Sequence, residues 1–366
     1  MANVNNYGFI GLADLYNQRI SGVNGGVQRV WDAIRLSVDE YNRVAGAVLG
    51  EFAQTTEMAM EQIELPGDGT LQPLDDNGNP LPVLPSGNYQ VAYPIQGAGT
   101  AWGDDRVSRE LMTVEEADRF TSDSLRRDAN WIVRHALAAI LTNTTWTFND
   151  KSGGAFGVKG LGDITIQPLA NNDTVKYTRK GIAVSAIDDH YLAQAAAIAD
   201  GSNPFPTIKA ELHEHPSNMN LPIVAYVASD LVSSIQGLTE FVDKDDPDIR
   251  AGNASDTLAG TISAGPGDTV LGKTKSGVWV VEWGAVPSGY LVAKVLGRQP
   301  LKMREYPAPN LKGLFPERAD IDGNHIVKRF IRYAGFGTAD RVAALAMRIG
   351  NAAYAIPTGY TAPLPA

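Results

Sequence analysis

Gly267-Asp-Thr-Val-Leu-Gly-Lys-Thr274 has the spacing of a phosphate-binding loop: a glycine, four free positions, then Gly272-Lys273-Thr274. Such a loop holds phosphate when a strand delivers the chain into a glycine-rich turn and a helix leaves it, so that backbone N–H groups and the helix dipole surround the anion. The neighbouring residues argue against that use. Asp268 sits where an anion must bind, Thr269 and Val270 resist a tight turn, and Val278-Trp-Val-Val-Glu-Trp283 reads as a strand a few residues later. No room is left for the helix. Glu282 has no crossover behind it to make it a partner acid. A nucleotide hydrolase using Lys273 and Thr274 is therefore a remote alternative.

The other chemistry-bearing residues are thinner. His213-Glu-His215 offers ligand types, but residues two apart face the same side only in extended chain, and Thr207–Leu212 reads as a helix ended by Pro216. A surface helix terminus fits better than a metal site. Asp243-Lys-Asp-Asp-Pro-Asp248 has the acid density of a calcium loop without its glycine position or terminal glutamate. His135, His190 and His325 stand alone, and no Ser/His/Asp set assembles from spacing. The expectation is no catalytic residues, no cofactor and no metal.

Composition narrows the class further. With 44% apolar and 20% charged residues the chain reads as an ordered globular protein. Zero cysteines exclude disulfides and thiolate metal sites, and a net charge of −10 argues against a dedicated nucleic-acid binder. The N-terminus lacks the basic and apolar regions of a secretory signal, and no run reaches the apolar length of a membrane span. The charge is unevenly placed. Val44 through Asp105 contains no basic residue but carries Glu51, Glu57, Glu61, Glu64, Asp68, Asp75, Asp76, Asp104 and Asp105; Arg106, Arg109, Arg119, Arg126, Arg127 and Arg134 follow. Either these are ordinary solvated surfaces or an acidic arm and a basic helix are made to meet, within one chain or between copies.

The elements that position these charges can be read in order. After an extended N-terminal arm, Val27, Val30, Trp31, Ile34, Val38, Tyr41, Ala45, Val48, Leu49 and Phe52 form a helical stripe. Thr56–Leu65 and Asn88–Ile95 are extended runs flanking a segment dense in Pro and Gly, in which Asp76-Asn77-Gly78-Asn79 is a strong turn. Tyr89, Val91, Tyr93 and Ile95 give the second run one apolar face. A two-stranded ribbon is marginal alone, so that face must rest on another surface. Thr113-Val-Glu-Glu116 is a capping box opening a helix to about Asn143. Trp146–Phe148 reads as strand, Asp188–Asp200 as an alanine-rich helix, and Pro222–Ala228 as a buried strand. Val278–Trp283 and Tyr290–Leu296 are strands split by a Pro-Ser-Gly turn. Ile326–Tyr333 is another, while Val342–Met347 is ambiguous between helix and strand.

This order of parts resembles the major capsid protein of tailed double-stranded DNA phages, the Hong Kong-type shell fold, over nearly the whole chain. The resemblance implies an α+β fold with an N-terminal arm and helix (1–56), an extended hairpin or E-loop (57–112), a peripheral domain with a long spine helix (113–187), an axial domain (188–321), and return strands with a tail (322–366). Gly157-Val-Lys-Gly-Leu161 with the run Asp163–Gln167, the Pro-x-Gly strand pair within Val278–Gly297, and the basic strand Ile326–Gly337 carry the match. It implies self-assembly into hexamers and pentamers of an icosahedral virion head built in the host cytoplasm. That head encloses double-stranded DNA without sequence-specific binding, with portal, scaffold or decoration proteins as possible partners and no membrane. Intersubunit contacts would fall on Asp75, Asp76, Asn77, Tyr89 and Tyr93 of the E-loop and on Arg119, Arg126, Arg127 and Arg134 of the spine helix. No lysine lies between Glu57 and Met112, so covalent E-loop cross-linking is not expected. A separate scaffold or none, without proteolytic trimming, fits the short N-terminal part. An encapsulin-type nanocompartment shell is the alternative.

Overall fold

The computed structural model describes residues 19–20, 26–65, 74–80, 87–102, 112–150, 161–179, 187–245, 268–321 and 325–364. In chain order, α1 (Gly26–Leu49) leads to β1 (Ala53–Thr56), β2 (Met60–Leu65), β3 (Gly87–Ala92) and β4 (Gln96–Trp102). The long α2 (Val114–Leu141) is followed by β5 (Trp146–Asp150), β6 (Gly162–Ile166), β7 (Tyr191–Gln194), α3 (Phe205–His213), β8 (Ile223–Val227), α4 (Val232–Gln236) and β9 (Phe241–Asp243). Then come β10 (Asp268–Thr274), β11 (Val278–Trp283), β12 (Tyr290–Val295), β13 (Leu301–Glu305), β14 (Leu314–Ile321), β15 (His325–Thr338) and β16 (Ala344–Ile349).

A seven-stranded sheet in the order β7-β16-β12-β8-β11-β10-β9 forms the centre of one body. Its inner strands are apolar at almost every position because both faces are covered. The two-residue period sorts them: Val224, Tyr226, Trp279, Val281 and Val292 enter one core, while Ile223, Ala225, Val227, Val280 and Leu291 enter the other. Phe205, Ile208 and Leu212 of α3 and Ile235 of α4 cover the second face. The first face receives Ile132, Ala136, Leu137, Ile140 and Leu141 from the C-terminal half of α2.

A second sheet of five strands runs β1-β13-β15-β14, with β4 also paired to β15. Its long strand β15 meets β14 along His325–Arg332 and β13 along Ala334–Thr338. The buried guanidinium of Arg332 pairs with Asp128 of α2 through two bonds of 2.7 and 2.8 Å. Tyr41 of α1 donates to the same carboxylate at 2.8 Å, and Asn42 bonds both ways with the Leu314 backbone. Two helices and two strands thus meet on one ionic junction.

Several expectations are corrected. Asp188–Asp200 is not a helix: its alanines favour one, but Tyr191–Gln194 pairs in parallel with Ala346–Ile349, and sheet pairing outweighs local propensity. Val342–Met347 resolves as strand, entered at Ala344. Among the strands, β13 and β14 join the five-stranded sheet with β15 and β4, and β16 returns to the seven-stranded one. Sheet membership depends on partners far along the chain, which local pattern does not encode. The capping box at Thr113 and Glu116 forms as expected, with bonds of 3.3 and 3.0 Å. Of the helices in the described residues, none is long and apolar enough to cross a membrane.

Candidate functional site

The ribbon β2–β3 pairs in antiparallel register from Met60↔Ala92 to Leu65↔Gly87. Its root has both faces occupied by this same chain. On one face Val91 and Tyr93 pack with Ala339, flanked by Ile63 and Tyr89. On the other, Ala92 and Met60 pack with Ile164, Ile166, Trp146 and Phe148 of the β5–β6 hairpin. Ion pairs of 2.5 Å from Glu61 to Lys302 and from Glu57 to Lys312 hold the root to the body.

Tyr89 and Tyr93, expected at a subunit interface, both make contacts within their own chain. Tyr93 is fully buried, donates to Glu61 at 3.3 Å and lies under the Lys302 ammonium. Tyr89 is half-buried, meets the Tyr177 ring edge-on at 6.0 Å and donates to the Ala339 carbonyl at 3.4 Å. Their alternating pattern reads correctly as an apolar face, but that face closes on its own chain. The period specifies a face, not who covers it.

Farther out the picture reverses. Every residue from Leu74 to Pro80 is exposed, Leu74 to 63%. The turn is internally built: the Asp75 carboxylate accepts from the backbone N–H of Asn77 and Asn79 at 2.9 and 2.7 Å, and Gly78 supplies φ 78°. Backbone bonds from Asn79 hold the Asp75 carboxyl below its ordinary range. Asp76 and Asn77 face solvent.

On α2, Arg119, Arg126 or Arg127, and Arg134 recur at seven- or eight-residue steps, about two turns each, so they share one side of the helix. All four are exposed. Asp123 binds Arg126 and Arg127 at 2.6 and 2.7 Å, Arg134 donates to the Gly359 carbonyl at 3.2 and 3.0 Å, and Arg119 stacks over Phe120. Exposed pairs of this kind contribute little, so the face remains able to exchange partners.

The phosphate-loop spelling dissolves in the fold. Asp268–Thr274 is strand β10, with its backbone paired to β9 and β11. Gly272 is required because the Val242 carbonyl passes so close that a Cβ would collide at 2.1 Å. The Thr274 hydroxyl accepts from Val278 N–H and donates to its carbonyl, both at 3.2 Å, closing the β10–β11 turn. Gly267, Pro247, Asp248, Arg106, Arg109 and Gly157–Gly160 lie outside the described residues. His213 donates to the Leu221 carbonyl at 2.9 Å, and His135 donates to Trp131. His190 and His215 meet inside the chain beside Asp188, a convergence that spacing along the sequence does not signal.

No family model matches the sequence, and no curated protein matches it. Solved structures do. A chain of Mycobacterium phage Patience is 18% identical, with the match covering 99% of each chain at a TM-score of 0.66. The mature capsid of bacteriophage PhiM1 is 11% identical over 81% of this chain and 84% of that one, at 0.47. The capsid of cyanophage P-SCSP1u is 7% identical over 82% and 86%, at 0.48. The end-to-end agreement with the Patience chain shows a shared fold: the α+β Hong Kong-type capsid arrangement.

Proposed function

We propose that this chain is the major capsid protein of a tailed double-stranded DNA phage, assembling through hexamers and pentamers into the icosahedral head. The reading is carried by the ribbon: its root is locked to the body while the Leu74–Pro80 turn stands uncovered, presenting acids and an exposed leucine. An uncovered strand-linked arm gains burial on a neighbour, and closed symmetry multiplies modest contacts. The arginine face of α2 has the opposite sign to that turn and is the surface proposed to receive it, setting register more than raw affinity. Agreement in fold with a phage protein over the whole chain supports the same reading. Net charge −10 suits a wall that does not grip its DNA.

The test is expression of the full chain, alone and with head-assembly partners, followed by sedimentation and negative-stain imaging. Rings or megadalton shells are expected. A monomer that persists under every condition would overturn the proposal, and shells holding protein cargo instead of DNA would replace it with a nanocompartment.

A further inference from the structure

Asp188, His190 and His215 come from two separate stretches, the entry to β7 and the turn after α3, and are 2%, 0% and 2% exposed. Their donor atoms converge. His190 Nε2 lies 3.2 Å from His215 Nε2 and 3.4 Å from Asp188 Oδ2, and the same carboxylate oxygen lies 2.6 Å from His215 Nε2.

The outer ring nitrogens fix the tautomers. His190 Nδ1 is 2.6 Å from the Ala344 carbonyl, and His215 Nδ1 is 3.3 Å from the Thr178 carbonyl. Carbonyl oxygens only accept, so both Nδ1 atoms carry hydrogen, and with the rings neutral both Nε2 atoms present lone pairs to one point. Asp188 Oδ2 points there too, buried and without an aligned hydrogen bond. Three electron-rich atoms facing one another in a dry interior repel unless added protons or a metal ion sit among them. Nδ1–H bound to a backbone carbonyl is how metal-ligating histidines are held.

We propose that Asp188, His190 and His215 form a structural site for one divalent transition-metal ion, zinc being the best match. Bond lengths of about 2.0–2.1 Å at tetrahedral angles put donors roughly 3.3 Å apart; the two contacts of His190, at 3.2 and 3.4 Å, match this. The Asp188–His215 edge opens by roughly 0.7 Å on loading. Imidazole donors disfavour calcium and magnesium. Glu214 Oε1, 3.9 Å from His215 Nε2 and held by Arg179 at 3.1 Å, is the nearest candidate for a fourth ligand. His215 also lines a cavity of about 520 Å³ at the ribbon root, which gives an ion its way in. The ion joins the entry to β7 to the turn after α3, where His215 also donates to the Thr178 carbonyl next to Tyr177, the ring Tyr89 meets, and the site does not depend on the shell reading.

The experiment uses the full chain stripped with EDTA, then titrated with zinc or cobalt(II). About one zinc per chain retained after desalting, a higher Tm with zinc, and the visible bands of tetrahedral cobalt(II) are expected. Asp188→Asn and His215→Asn, near-isosteric changes, are expected to weaken zinc binding more than about tenfold. His213→Asn should leave it unchanged. Wild-type protein that retains no zinc and shows no zinc-dependent Tm would overturn the site, whatever the variants do. Undiminished zinc in folded His215→Asn, or a cluster that only titrates as imidazolium, would overturn it equally.

Discussion

The inner strands of the seven-stranded sheet are apolar on both faces while those of the β2–β3 ribbon interleave apolar and polar residues, and the two end in opposite states. In the sheet every inner residue has a neighbour on both faces, so Val224 and Ile223 reach different cores one residue apart. In the ribbon only the root is served this way, and every residue of the Leu74–Pro80 turn is exposed. The sheet makes the subunit stable, and the turn leaves a surface unsatisfied. Changes in the first should therefore read out as unfolding, and changes in the second as failed assembly.

The largest effect is expected at Trp279, the biggest side chain fully buried in the sheet. Trp279→Ala should destabilise the subunit toward the top of the roughly 3–5 kcal/mol range for such cavities, measured by urea unfolding. A loss below about 1 kcal/mol would mean that the sheet is not the stabilising centre. Next is the Arg332–Asp128 junction. Arg332→Ala strands a buried carboxylate and should cost near the lower end of roughly 3–5 kcal/mol. Combining Arg332→Met with Asp128→Leu should recover most of that loss, since an apolar pair removes both desolvation penalties. No recovery would mean that the bond Tyr41 donates and the one Asn42 accepts carry the junction instead.

Tyr93 sharpens the contrast from within the ribbon. Glu61 keeps Lys302 when the tyrosine hydroxyl is removed, so Tyr93→Phe should cost only about 0.5–1.5 kcal/mol and leave assembly intact. Assembly loss without destabilisation would return Tyr93 to the interface.

What was legible in the sequence follows the same division. The long helix α2, its capping box and strands β11 and β12 are local patterns with local consequences, and they fold as read. Tyr191–Gln194 was misread because its partner β16 lies some 150 residues on, where alanine content says nothing about pairing. Arg332 and Asp128 lie 204 positions apart, and His190 and His215 lie 25 apart. Each looks solitary until the sheets bring them together. The tyrosines of the ribbon show the subtler limit: the apolar face was legible, but the surface covering it was not.

The smallest effect on folding, and the sharpest on the comparison, is expected at the two exposed charged surfaces. Leu74→Ser with Asp76→Lys changes residues that face solvent, so subunit stability should move within about 0.5 kcal/mol. Arg126→Glu with Arg127→Glu forfeits only exposed pairs to Asp123 and should be similarly mild in the isolated subunit. If the acidic turn of one subunit lies on the arginine face of another, each double variant alone should reduce assembly in sedimentation. The defect of the arginine reversal should shrink as salt rises, because exposed charges about a Debye length apart are screened near 0.1 M. Mixing the two variants should restore part of the assembly, since each brings the charge the other has lost. Full assembly of both at low salt would show that turn and helix face do not meet. Unfolding of either would erase the difference between sheet and ribbon from which the expectation is drawn.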